Sequence, residues 1–276
     1  MHRRFLRSAL SMSAAVGLLF LADASPGQAQ AQAPAAAPAA NMLPATDEAR
    51  IAEVVTANHI LADQGVLDGF GHVSVRSARN PKHYFMARSL APSLVTKDDI
   101  VEYDENGAPV TDLRGREQYS ERFIHGEIYR SHPDVQSVVH AHTAAVLPFT
   151  VTKTPLKALI HVAYFLGTEP APVFEIRNAD GDDNRMLVNN IKTGAALAKV
   201  LGDRRVVLMR GHGMTVVGGS IREAVFEAIY TKANAEIETV ALRMGDPVFL
   251  NRFEVTRTER ISRQWEEWSL HAETKH

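Results

Sequence analysis

Three histidines carry most of the chemistry this sequence can do. Ser137-Val138-Val139-His140-Ala141-His142-Thr143 runs two valines into a His-x-His. Residues i and i+2 of an extended strand share one face, so the two imidazoles stand side by side, close enough to hold one metal ion. A third histidine, His212, sits in Arg210-Gly211-His212-Gly213, directly after the strand-like run Arg205-Val206-Val207-Leu208-Met209. Three histidines from two strands suit one divalent ion, zinc first, with manganese, iron or cobalt as alternatives. The chain has no cysteine, which excludes thiolate zinc sites, Fe–S clusters, disulfides and a cysteine nucleophile.

The elements that must position these groups read as a mixed α/β chain. Thr46 or Asp47 caps a helix to about Gln64, closed by Gly65. Gly69-Phe70-Gly71-His72-Val73-Ser74-Val75-Arg76 is a glycine-rich turn entering an alternating strand. Tyr84-Phe85-Met86 and Ile100 to Tyr103 read as strands, the latter into a hairpin turn with a return strand near Pro109-Val110. Ser120 to Ser131 reads as a helix with Glu121 at its beginning, closed by Pro133. Thr150 to Lys157 is irregular, Ala158 to Phe165 is apolar and carries His161, and Asp180 to Arg185 is a polar loop. Ile191 to Leu201 is a helix. Ile221 to Met244 is a long one, with Val225, Ile229, Ala233, Ile237 and Val240 on one face. A last helical segment covers about 257–276 and carries Trp265 and Trp268. These elements place one domain over about 46–250, with 251–276 as a C-terminal helical extension.

With 276 residues, 45% hydrophobic and 22% charged, the chain has an ordinary globular composition. Its net charge of −2 gives no reason to expect a nucleic-acid partner. The first 31 residues have the layout of a secretory signal peptide: Arg3, Arg4 and Arg7, an apolar run from Ala9 to Ala22, then Ala29-Gln30-Ala31 as a cleavage site. The apolar run is short of the roughly 20 residues a spanning helix needs, so no stable membrane insertion is expected after cleavage. A periplasmic or secreted location follows, by the Sec route, with the paired arginines raising the twin-arginine route. Cleavage takes three positive charges and one negative from the chain, leaving −4. Residues 32–45, rich in Ala, Pro and Gln, read as a flexible linker.

At four places the sequence resembles the class II aldolase/adducin family. Gly71-His72-Val73-Ser74 stands where the family has Gly-Asn-x-Ser, and Tyr119-Ser120-Glu121 where it has Ser-Ser-Glu. Val139-His140-Ala141-His142 and Arg210-Gly211-His212-Gly213 match its His-x-His strand and its third-ligand loop. The resemblance implies an αβα sandwich around a mostly antiparallel sheet, a homotetramer, His140, His142 and His212 as metal ligands, and Glu121 as ligand or acid/base. The sugar-phosphate branch has a Thr-x-Ser-Gly-like phosphate loop; here Leu90-Ala91-Pro92-Ser93-Leu94 lacks the glycine that frees backbone amides for phosphate. Gly-Phe-Gly-His-Val-Ser-Val-Arg with Ala-Arg-Ser-Leu-Ala-Pro is similar to the branch that decarboxylates hydroxylated aromatic or muconic-semialdehyde acids.

The resemblance therefore implies a metal-dependent carbon–carbon lyase. It would take a small carboxylic acid or hydroxy-carbonyl substrate and stabilise a developing enolate or phenolate. Glu121 is the candidate acid/base. His72 and Ser74, from the glycine-rich turn, are candidates for substrate binding, with His72 placed to bond a carboxylate or phenol. Arg88 and Arg76 are candidate carboxylate clamps. His161 joins the site by analogy with the family. His125 and His132 read as ordinary helix and turn residues, and Tyr230 as packing. Two alternatives stay open, a class II aldolase cleaving a sugar-like hydroxy-carbonyl and a non-catalytic adducin-like binding module. Oxygen chemistry at an iron centre ranks third, since three histidines without a carboxylate do not form the usual facial triad.

Overall fold

Thr46 caps the first helix, its hydroxyl accepting from the Ala49 amide at 3.3 Å. The computed structural model describes residues 43–256 and 261–275. The expected leader (1–31) and most of the expected linker (32–45) lie outside the described residues. Along the chain come α1 (Asp47–Asp63), β1 (His72–Arg76), β2 (His83–Ala87), β3 (Ile100–Asp104), α2 (Arg122–Ser131) and β4 (Ser137–Ala141). There follow α3 (Leu147–Val151), β5 (Val173–Phe174), α4 (Arg177–Asp180), α5 (Ile191–Leu201), β6 (Val206–Met209), β7 (Gly213–Gly218), α6 (Ile221–Met244) and α7 (Ser262–Glu273).

The strands form one seven-stranded sheet in the order β3-β2-β1-β4-β7-β6-β5. Every pairing is antiparallel except β5 with β6. Helices α1, α6 and α7 pack together over one face of the sheet; α2 and α5 pair with each other over the other. The αβα sandwich expected from the sequence is therefore what forms. The central strands β1, β4, β6 and β7 are buried along their whole length, as a sheet covered on both faces requires. Among the described residues no helix is long and apolar enough to cross a membrane.

The register sets up the chemistry. His72 on β1 lies opposite His140 on β4, and His140 lies opposite Thr215 on β7. Directly opposed residues share a face, so this row runs across the sheet on the side covered by α2. The sheet ladder cannot slip by one residue without turning all three to the other face.

Four expectations need correction. The helix expected from Ser120 begins at Arg122, with Glu121 in the capping position. The return strand near Pro109 is only an isolated bridge from Tyr103 to Pro109. The segment read as irregular over 150–157 starts inside α3. The expected α6 stripe is buried only in its first half: Val225 and Ile229 are buried and Ala233 half-buried, but Ile237 and Val240 are exposed, and Thr231, Asn234, Ala235 and Glu238 are buried there instead. Two polar residues on α6 cause the difference. Asn234 Oδ1 accepts from the Leu159 and Ile160 amides, and Glu238 accepts from the Lys157 amide, so the helix turns these toward the 157–160 loop.

The α2–α5 contact depends on Gly194, where a Cβ would stand 2.6 Å from the Phe123 carbonyl oxygen and 2.9 Å from Glu127 Cγ. In an isolated helix Gly→Ala stabilises by about 1 kcal/mol. Here the overlap reverses the sign, and Gly194→Ala is expected to lower the unfolding free energy by about 1–3 kcal/mol. Urea denaturation checks this; an unchanged or raised midpoint would mean the two helices do not meet at this point.

Candidate metal centre

β4 carries His140 one residue before its end and His142 just beyond it; the turn between β6 and β7 carries His212. Gly211 allows that turn, with φ of +62°. Gly213 allows the next step, because a Cβ there would sit 2.1 Å from the Ala141 carbonyl oxygen. The two backbones thus approach closely enough for the three rings to converge. The Nε2 atoms of His140 and His142 are 3.0 Å apart, those of His142 and His212 2.9 Å, and those of His140 and His212 3.2 Å. Glu121 Oε2 stands over this triangle, 3.4 Å from His140, 3.4 Å from His212 and 3.8 Å from His142. Its Oε1 accepts from the Val188 amide at 2.9 Å.

These residues fit a divalent ion. His212 Nδ1 lies 2.6 Å from the Met186 carbonyl oxygen, so Nδ1 carries the proton and Nε2 presents a lone pair. His140 Nδ1 faces Thr215 Oγ1 at 3.3 Å. Such outer contacts fix ring orientation in metal sites. Nε2 atoms about 3 Å apart are close enough to share one ion at the usual metal–nitrogen distance of about 2.0–2.1 Å.

The charges agree. Burial alone would raise the Glu121 carboxyl, but His140, and hydrogen bonds to all three rings, hold it well below the usual carboxylate range. Burial pushes His140 down to about 4, helped by His212 and His142 and opposed by Glu121. Burial also lowers His212, but Glu121 and the Met186 carbonyl outweigh it and leave that ring raised. A proton on His212 can thus relieve the facing lone pairs when no cation does.

The centre opens on a cavity of about 580 Å³ lined by His72, Glu121, His142, Tyr119, Phe70 and Leu90, among others. Its lining contains neither lysine nor arginine. Of the predicted site residues, Glu121, His140, His142 and His212 meet within 4.8 Å. His72 lines the cavity. Ser74 is fully buried beneath it, bonded to His125 Nδ1 at 2.6 Å and Tyr129 Oη at 2.7 Å.

Arg88 and His161 are not among the cavity's lining residues. Arg88 Nε donates to Asp99 at 2.8 Å, and His161 opens a short 3₁₀ helix with an exposed side chain. Arg76 is a correction: its buried guanidinium donates to the carbonyls of Val135, Tyr129 and His132, bracing the chain around α2. So is His125, which is fully buried with its Nε2 2.7 Å from His72 Nδ1. The only sequence signal for His125 was its place one helical turn from Glu121 on the same face of α2. Tyr230 packs against Phe226 and Trp268, as expected.

Comparison with known proteins identifies the family. The family profile described as "Class II Aldolase and Adducin N-terminal domain" matches residues 52–239. Decarboxylase tropJ of Talaromyces stipitatus is 40% identical over 243 residues, covering 78% of this chain and 91% of that protein. A 3,4-dihydroxyphthalate decarboxylase of Arthrobacter keyseri is 32% identical over 192 residues, covering 64% of this chain and 72% of that protein. Among solved structures, L-fuculose 1-phosphate aldolase from Glaciozyma antarctica superposes with a TM-score of 0.68 at 22% identity, covering 86% of this chain and 95% of that one.

The buried rings make metal-free stability pH-dependent. Burial holds His125 at about 3, and also lowers His72 well below its ordinary value. With His140 at about 4, all three lie below the value of about 6.5 in the unfolded chain. The unfolded state therefore binds more protons in this window, and stability present above pH 6.5 is lost as the pH falls toward 4. His212 acts in the opposite sense, but it is one group against three. The melting temperature of metal-free protein should drop by about 5 °C or more between pH 7.5 and 4.5; a flat profile would mean the rings are not buried as described.

Proposed function

The chain belongs to the class II aldolase and adducin family and is a lyase-type enzyme, and from that premise we propose that it decarboxylates a hydroxylated aromatic or semialdehyde carboxylic acid, using one divalent metal ion, zinc first. The observation that carries this reading is the convergence of three imidazole Nε2 atoms and Glu121 Oε2 beside a cavity whose lining includes Phe70, Leu90, Tyr119 and Leu187. Phe70 and Tyr119 suit an aromatic ring, and the relatives named as decarboxylases point the same way. A sugar phosphate suits the cavity poorly. No lysine or arginine lines it to meet a dianion, Arg88 is paired with Asp99, and Pro92–Leu94 forms a short 3₁₀ helix where the phosphate loop would be.

A bound divalent ion would supply Lewis acidity to the oxygen on which charge develops as the carbon–carbon bond breaks. His140, His142 and His212 would hold it. Glu121, a carboxylate at neutral pH, takes the proton of the substrate hydroxyl. Glu121 delivers that proton to the ring carbon that bears the carboxylate, giving the keto tautomer. The carbon–carbon bond then breaks, carbon dioxide leaves, the electron pair passes through the ring to the oxygen as phenolate, and the product oxygen regains a proton from water.

The test combines metal content with carbon dioxide release from a panel of mono- and dihydroxybenzoates and dihydroxyphthalates. About one divalent ion per chain is expected, lost in His142→Ala. Glu121→Gln should retain the ion and lose about 10²–10⁴-fold in kcat. Aldehyde release from hydroxy-carbonyl compounds without carbon dioxide release would replace the decarboxylase by the aldolase. A protein that takes up no metal at all would sink both.

A further inference from the structure

Beneath the cavity floor runs a chain of four buried polar side chains that the reaction above does not use. His72 Nδ1 is 2.7 Å from His125 Nε2, His125 Nδ1 is 2.6 Å from Ser74 Oγ, and Ser74 Oγ is 2.7 Å from Tyr129 Oη. The residues are 1%, 0%, 0% and 3% exposed in that order. Each link holds one proton, and a buried chain of this kind can be ordered in only two ways. Either every proton points from His72 toward Tyr129, or every proton points from Tyr129 toward His72.

Tyr129 decides between them. Its phenol has a single proton, and among the described residues Ser74 Oγ is the one side-chain partner in hydrogen-bond reach. If Ser74 donated to the phenol, the Tyr129 O–H would be buried without an acceptor, at a cost of about 1–3 kcal/mol. With Tyr129 donating to Ser74, every group is satisfied. Ser74 then donates to His125 Nδ1, which leaves the His125 proton on Nε2. His125 donates in turn to His72 Nδ1, which leaves the His72 proton on Nε2. His72 lines the cavity, and among the described residues its Nε2 has no hydrogen-bond partner.

We propose that the Tyr129–Ser74–His125 chain locks His72 as a neutral Nε2–H donor aimed into the cavity, where it receives an anionic substrate oxygen, a carboxylate or phenolate. His72 is thus a hydrogen-bond donor and not a general base. Tyr129, Ser74 and His125 are positioning residues that act through it. The donor assignment stands on the hydrogen-bond geometry; the identity of its ligand rests on the function proposed above. The arrangement delivers an N–H to an anion in a lining without Lys or Arg, and does so without burying a cation.

Long-range ¹H–¹⁵N NMR of metal-free wild-type protein tests the assignment without substrate or variant. The His72 signals are identified by their loss in His72→Gln. His72 and His125 should each show a protonated, pyrrole-type Nε2 and an unprotonated, pyridine-type Nδ1. A protonated His72 Nδ1 overturns the proposal. In Tyr129→Phe and Ser74→Ala the lock is released, and both rings should give averaged shifts. Ser74→Thr keeps a hydroxyl and should restore the wild-type pattern; unaltered tautomers in both damaging variants would also overturn the proposal. With zinc added, catechol, a product-like probe, should bind about tenfold more weakly to Tyr129→Phe and Ser74→Ala than to wild type and Ser74→Thr. Wild-type protein with the expected tautomers but no catechol binding would support the donor assignment and count against the aromatic substrate class.

Discussion

Three imidazole lone pairs pointed at one another across about 3 Å repel unless something positive lies between them. The rest of this structure serves to hold them there. The repulsion is overcome because each ring is anchored from behind: His212 by the Met186 carbonyl, His140 by Thr215 and by the buried ladder of β4, and His142 by its position two residues along from His140. Glu121 contributes the compensating charge, held over the rings by the start of α2 and by the Val188 amide. A cation is the natural occupant of such an arrangement, and a proton on His212 its weak substitute. The glycines at 211 and 213 matter for the same reason. They let the β6–β7 turn close on the end of β4, which no side chain would permit at 213.

Much of this was legible in the sequence because the informative signals are local. His-x-His at the end of an apolar strand, and a histidine between glycines after a second strand, specify ring placement through the period-2 geometry of strands alone. Helix α1, with its Thr46 cap and Gly65 stop, was legible for the same reason, and α5 and α6 have the bounds expected of them. The relay beneath the cavity was not legible. His125 is 53 residues from His72 and 51 from Ser74 in sequence, so their contact depends on the register of β1 with β4 and on the way α2 crosses them. No local pattern distinguishes such a histidine from one on any helix.

The other misreadings have a common origin. Residue type predicts a clamp at Arg76 and a continuous apolar stripe on α6, whereas unsatisfied backbone decides both. Arg76 is buried because the turn after α2 leaves carbonyls at Tyr129, His132 and Val135 that need donors. Helix α6 turns Asn234 and Glu238 inward because the 157–160 loop leaves amides without partners. In both cases satisfying a buried peptide group outweighs burying a methyl. Ile237, Val240 and Met244 are left exposed as a consequence.

The same accounting bears on how the enzyme recognises its substrate. The active-site end of the cavity is built from imidazoles and one carboxylate, with no permanently positive side chain in the lining. Before a metal binds, Glu121 makes this end unfavourable for an anion. On the proposed function, a divalent ion held by three neutral histidines would reverse that sign, which a neutral imidazole N–H alone cannot do. Affinity for a carboxylate would then depend on the ion first and on neutral donors second, so that substrate binding would be coupled to metal loading.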